Sequence, residues 1–158
     1  MAGSNEKIRK GITAIVFRLK GKKPEFLLLH RIKRWNGWEM LKGGRIGRER
    51  PMHNLMRELR EEIYADQKRL GTIIPLPFKL KFKTPKDYVK KYKYTRMEFQ
   101  SFLVEYNGPV SIKVNAVLEH DEYRWVSYNE ALRLLTHDTN KKLLKNAYNF
   151  LKRKINYK

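Results

Sequence analysis

The spacing of apolar and polar positions changes several times along this chain, and each change marks an element. Ile12–Leu19 and Phe26–His30 are short apolar runs rich in β-branched and aromatic residues, and Gly21-Lys22-Lys23-Pro24 between them reads as the turn of a hairpin. Trp35–Arg48 holds four glycines and little periodicity, which predicts loop with short strand pieces. From Pro51 onward Met52, Leu55, Met56, Leu59 and Ile63 recur at helical spacing, with the proline in the first turn. Thr72–Lys83 then alternates Phe78, Leu80 and Phe82 with Lys79, Lys81 and Lys83, the pattern of a strand with one basic face. Tyr92–Tyr106 predicts the next strand, closed by Asn107-Gly108-Pro109, and Tyr123–Val126 a last short one. Ser127 with Glu130 is a capping-box signature that opens a helix through Leu135. A second helix follows, with Leu143, Leu144, Ala147, Phe150, Leu151 and Ile155 inward and lysines outward. Strands flanked by helices in this order predict an α/β fold with a mixed sheet. With no repeat or low-complexity linker, one domain over 1–158 is expected.

Composition narrows the partners. The 158 residues carry 36 Lys and Arg against 16 Asp and Glu, a net charge of +20 that points to a polyanion such as a nucleotide, a polyphosphate or RNA. Three Trp, nine Tyr and seven Phe exclude an intrinsically disordered chain. No apolar run approaches the ~18 residues of a membrane span, and the N-terminal stretch has no apolar signal core, so a cytoplasmic location without a membrane partner is expected. The absence of cysteine removes disulfides, thiolate metal sites and a thiol nucleophile. The basic strand of Lys79, Lys81 and Lys83 reads either as a solvated face or as a groove for a polyphosphate or RNA 5′ end. Tyr92 and Tyr94 lie beside it and are candidates for base stacking. The four histidines, His30, His53, His120 and His137, form no metal-ligand spacing.

The acids are distributed less evenly than the bases. Glu58, Glu61 and Glu62 fall within five residues and Asp66 follows, so that on a continuous helix Glu58, Glu62 and Asp66 would share one face. Like charges at that spacing oppose a helix by a few tenths of a kcal/mol per pair. A hard divalent cation needs converging oxygen ligands and would remove that repulsion, and the glycine-rich segment just before the helix suits such a site.

Around these residues the chain resembles the Nudix hydrolases. Their box reads Gly, five residues, Glu, seven residues, then Arg-Glu-apolar-x-Glu-Glu-x-Gly-apolar. Here it runs Gly43, Glu49, then Arg57-Glu58-Leu59-Arg60-Glu61-Glu62-Ile63-Tyr64-Ala65, with Tyr64 in place of the last glycine. The resemblance implies an α/β/α sandwich around a mixed β-sheet, the box forming loop–helix–loop over residues 43–65. It implies hydrolysis of a nucleoside diphosphate linked to a further group, with Mg²⁺ or Mn²⁺. By position, Glu58 and Glu62 match the principal metal ligands and Glu61 a general base or further ligand. Arg57 matches a residue orienting a catalytic glutamate, Glu49 a support of the metal shell, and Gly44 a backbone carbonyl near the metal. A tyrosine at the usual left-handed helix end would be strained, so the helix is expected to run on through Ala65-Asp66-Gln67.

The segment Trp38-Glu39-Met40-Leu41-Lys42-Gly43-Gly44 is similar to one in diadenosine tetraphosphate hydrolases, with Leu41 and Gly44 replacing their Pro and His. That likeness implies a dinucleoside polyphosphate substrate, a phosphate contact for Lys42 and, from outside the box, a further carboxylate at Glu119. An RNA 5′-end pyrophosphohydrolase and a catalytically silent RNA-binding subunit are the alternatives. The oligomeric state is left open.

Overall fold

The computed structural model describes residues 7–84, 86, 94–112 and 118–156, the side chains of 155 and 156 excepted. Its strands are β1 (Ile8–Lys20), β2 (Lys23–Arg31), β3 (Gly37–Glu39), β4 (Leu41–Gly44), β5 (Leu70–Lys83), β6 (Arg96–Tyr106) and β7 (His120–Ser127). Its helices are α1 (Pro51–Ile63), α2 (Tyr128–Leu134) and α3 (Asp138–Asn156). The hairpin, the proline-started helix and the Ser127 cap stand where the sequence places them; the Ser127 hydroxyl accepts the Glu130 N–H at 3.2 Å.

Strands pair in the order β3-β2-β1-β6-β5, with β4 joined to β1 and β7 to β2. The β1–β6 pair is parallel and the others antiparallel, so the sheet is mixed. Alternation along β1 and β2 sorts side chains to two faces. Ile15, Phe17, Phe26 and Leu28 join Ala131, Leu144, Ala147 and Leu151 of α2 and α3 in one core. Ile12, Ala14, Val16, Leu27 and Leu29 join Leu55, Leu59 and Ile63 of α1 in the other. This is the expected α/β/α sandwich. Burying Leu55, Leu59 and Ile63 contributes roughly 1.5–3 kcal/mol each and holds α1 against the sheet.

One expectation fails. Helix α1 stops at Ile63, and Tyr64 takes the left-handed conformation with φ 51° and ψ 43°. Its N–H bonds the Arg60 carbonyl at 3.1 Å, while the Ala65 N–H reaches Leu59 at 3.2 Å. Tertiary contacts outweigh the roughly 1–2 kcal/mol that this conformation costs a non-glycine residue. The Tyr106 hydroxyl accepts the Asp66 N–H at 2.9 Å and donates to the Pro109 carbonyl at 2.6 Å, which fixes the chain just past the turn. Asp66 therefore leaves the carboxylate face and caps a 3₁₀ turn through the Lys68 N–H. Among the described residues no helix is long and apolar enough to cross a membrane.

Candidate active site

The site begins where β1 changes partner. Gly11–Ala14 pair with β4, whereas Phe17–Lys20 pair with β2. Strand β4 thereby runs alongside α1, and Gly43 lies directly over the Glu58 carboxyl group: a Cβ at Gly43 would land on its oxygens. Only glycine permits that approach. Gly43→Ala is expected to lower kcat/KM by about 10–100-fold, the usual effect of disturbing a group that orients a ligand. Steady-state kinetics with circular dichroism as a fold control would check it, and unchanged kinetics would show that the contact has no bearing on activity.

Arg57 organises the carboxylates. Its five N–H donors are all engaged: Nε and Nη2 fork onto Glu49 at 2.8 and 2.9 Å, and Nη1 meets Glu58 at 2.9 Å and Glu61 at 3.1 Å. The fifth bond runs from Nη2 to the Gly44 carbonyl at 2.8 Å. Asn54 Nδ2 also reaches that carbonyl, at 3.4 Å, so two donors face the oxygen expected near a metal. The Arg57 fork holds Glu49 down at about 2. Glu58 behaves oppositely. Burial, joined by the charges of Glu62 and Glu61, pushes it up to about 8 against the pull of Arg57.

These groups border a cleft of about 710 Å³. Glu58, Glu61, Glu62 and Glu119 line it together with Gly43 and Gly44, and Arg9, Arg31, Arg34, Lys42 and Lys83 supply positive charge. Ligand atoms of Glu62, Glu119 and His120 lie within 4.8 Å of one another. Sequence reasoning finds no role for His120, because it becomes a neighbour of Glu62 only when β7 is laid beside β2. The ring is buried, with Nε2 2.7 Å from Glu39 and Nδ1 3.2 Å from Glu62. Burial disfavours its charge, yet the bonds to those two carboxylates hold its pKa at about 9. With Nε2 turned to Glu39, Nδ1 faces the Glu62 and Glu119 side, and the oxygens of Glu58, Glu61, Glu62 and Glu119 are the hard ligands that a divalent cation would find here. That set fits a divalent ion. Carboxylates crowd one wall, with Arg57 bound to Glu58 and Glu61 and His120 beside Glu62, and burial with the neighbouring charges makes Glu58 difficult to ionise.

Glu39 is the second residue that sequence reasoning passes over. Burial would raise it, but Lys42, His120 and Arg31 hold it at about 2. Lys42 Nζ stands 3.2 Å from one Glu39 oxygen and 4.8 Å from the Phe82 ring centre, which keeps the ammonium in the cleft.

The remaining candidates divide. Lys83 lines the cleft, whereas Lys79 and Lys81 border a separate hollow with Lys142 and Asn146. Tyr92 falls outside the described residues. Tyr94 lies beneath the Lys7 and Arg9 cations, 5.3 and 5.7 Å from its ring centre. An aromatic ring that does line the cleft is Trp35, edge-on to His137 with centroids 4.5 Å apart. Nothing in the spacing around Trp35 singles it out, since the segment has no periodicity.

A family model described as NUDIX domain matches residues 7–147. An RNA pyrophosphohydrolase from a Nitratiruptor species is 29% identical over 134 residues, covering 83% of this chain and 85% of that protein. Among solved structures, a Listeria monocytogenes chain assigned as a NUDIX hydrolase is 27% identical with a TM-score of 0.74, covering 92% of this chain and 95% of its own. An Ap4A hydrolase from C. elegans, solved as a binary complex, also has a TM-score of 0.74, at 21% identity over 91% of this chain and 98% of its own.

Proposed function

The chain belongs to the NUDIX family, and from that premise we propose that it is a cation-dependent pyrophosphohydrolase acting in the cytoplasm on a polyphosphate chain attached to a nucleoside. The observation that carries this reading is the cleft itself, where five carboxylates, four of them the glutamates Glu58, Glu61, Glu62 and Glu119, meet five Lys and Arg side chains on one surface. Glu58, Glu61, Glu62 and Glu119 would hold Mg²⁺ or Mn²⁺. When bound, such a cation supplies charge neutralisation at the phosphate oxygens and a lowered pKa for water.

The chain's own groups account for the rest. Arg57 fixes Glu49, Glu58 and Glu61 in place. Lys42, held by Glu39, presents its ammonium to a phosphate, and Arg9 and Lys83 extend the attraction along the chain of phosphates. Glu61, with its side chain 44% exposed, is the most accessible of the three helix carboxylates and is assigned as the base that accepts a proton from water. Trp35 offers a flat face for a nucleobase.

A dinucleoside polyphosphate is the first substrate assigned, on the likeness of the Trp38–Gly44 segment to diadenosine tetraphosphate hydrolases. An RNA 5′ end is the second, favoured by the 29% identity to an RNA pyrophosphohydrolase and by the +20 charge. The test is product mapping with dinucleoside polyphosphates, triphosphorylated and capped RNA, nucleotide sugars and oxidised dNTPs, each with Mg²⁺, with Mn²⁺ and with excess EDTA. Turnover that EDTA abolishes is expected, with the larger kcat/KM naming the substrate. Folded protein that binds RNA tightly but cleaves nothing would overturn the enzymatic reading.

A further inference from the structure

We propose that His120, seated by Glu39, is a positioning residue that fixes the Glu62 carboxylate in the cleft. The inference rests on the cation-binding reading above and adds to it the device that aims one of the ligands. Three strands bring the parts together. Leu29 of β2 pairs with Glu39 of β3, and Arg31 of β2 pairs with His120 of β7, so the two residues flank the same end of β2. The β2–β7 ladder shifts register between His30 and Arg31, skipping Asp121, and such bulges re-aim side chains beside active sites.

The resulting chain of contacts is buried at its root and open at its tip. Glu39 is 1% exposed and His120 4%, whereas the Glu62 side chain is 20% exposed and lines the cleft. Glu39 accepts from His120 Nε2 at 2.7 Å and from Arg31 Nη1 at 3.0 Å. His120 Nδ1 then stands 3.2 Å from Glu62 Oε2. Glu62 sits in the last turn of α1, just ahead of Ile63 and the strained Tyr64, where the helix itself constrains it least. A buried carboxylate–imidazole pair is costly to place in a core. Aiming a long, half-open side chain whose orientation decides cation binding is what offsets that cost.

Two isosteric substitutions separate the ring's two contacts. In His120→Asn the amide nitrogen takes the place of Nδ1 and keeps the contact to Glu62. In His120→Gln it takes the place of Nε2 and keeps only the contact to Glu39. The measurement is Mn²⁺ binding by isothermal titration calorimetry on folded protein without substrate. The Asn variant is expected to bind within about threefold of wild type, and the Gln variant about 10–100-fold more weakly. Equal losses, no loss in either, or the reverse order would overturn the proposal, because a purely structural histidine serves Glu39 and favours Gln. If neither variant folds, His120→Ala, assayed on whatever folded fraction is recovered, removes the contact to Glu62, with Mn²⁺ binding about 10–100-fold weaker expected and wild-type binding overturning the proposal. Wild-type protein that binds no Mn²⁺ would instead overturn the cation reading of the cleft.

Discussion

Glu62→Gln is expected to lower kcat by at least about 10³-fold while the fold is retained. The substitution keeps the shape of the side chain and an acceptor oxygen for His120, so packing around α1 is unchanged. What it removes is a negative charge on the wall where Glu58, Glu61 and Glu119 also lie. A thousandfold loss corresponds to about 4 kcal/mol of transition-state stabilisation, within the several kcal/mol that a bound cation supplies at phosphate oxygens. The check is kcat at saturating Mn²⁺, with circular dichroism and a thermal melt beside it. A rate within about tenfold of wild type would end the assignment of Glu62 as a ligand.

Arg57→Lys tests the other half of the site and should damage stability and rate together. Arg57 commits five donors to Glu49, Glu58, Glu61 and the Gly44 carbonyl. Lysine keeps the charge but offers three donors from one point, without the planar fork that grips Glu49 through two nitrogens. At least two charge-assisted bonds are lost in a largely buried setting, for a cost of about 2–4 kcal/mol. For a chain of this length that lowers Tm by roughly 6–14 °C. With Glu58 and Glu61 released, kcat is expected to fall by about 10²-fold. A melt within about 2 °C of wild type and an unchanged rate would show that the network is decorative.

Most of the architecture can be read from the amino-acid sequence, because local signals and tertiary packing agree over most of the chain. Alternation in β1 and β2, the proline opening α1 and the Ser127 cap each specify their element without help. Disagreement is confined to places where a distant residue intervenes. The end of α1 at Tyr64 escapes a local reading because its backbone is fixed by Tyr106, Asp66 and Pro109, and a tyrosine hydroxyl some forty positions away leaves no local mark. The box carboxylates are legible because they lie on one helix within five residues. Glu39 and His120 are not, since 81 positions separate them and only strand pairing makes them partners. Trp35 escapes for a different reason: a loop aromatic has no period to betray it. The alternating lysines of β5 do form a face, yet one face does not mean one site, and the strand carries Lys83 to the cleft and its two neighbours past it.

That strand has a consequence of its own. Being last in the strand order, β5 has a long side that, among the described residues, no other strand covers. A fourteen-residue edge strand whose outer side meets no other strand among the described residues is a template on which a second copy could add. Pro75 and Pro77 remove two donors from it, register shifts interrupt its ladder with β6, and Lys79, Lys81 and Lys83 set like charges along it. Lys79 and Lys81, which stand outside the cleft lining, thus have a physical reason apart from nucleotides, since like charges on an edge disfavour extension of one sheet by another. The lysine part of that protection is electrostatic, so it weakens as salt shortens the Debye length from ~10 Å at 0.1 M to ~3 Å at 1 M, whereas the prolines and register shifts act at any ionic strength.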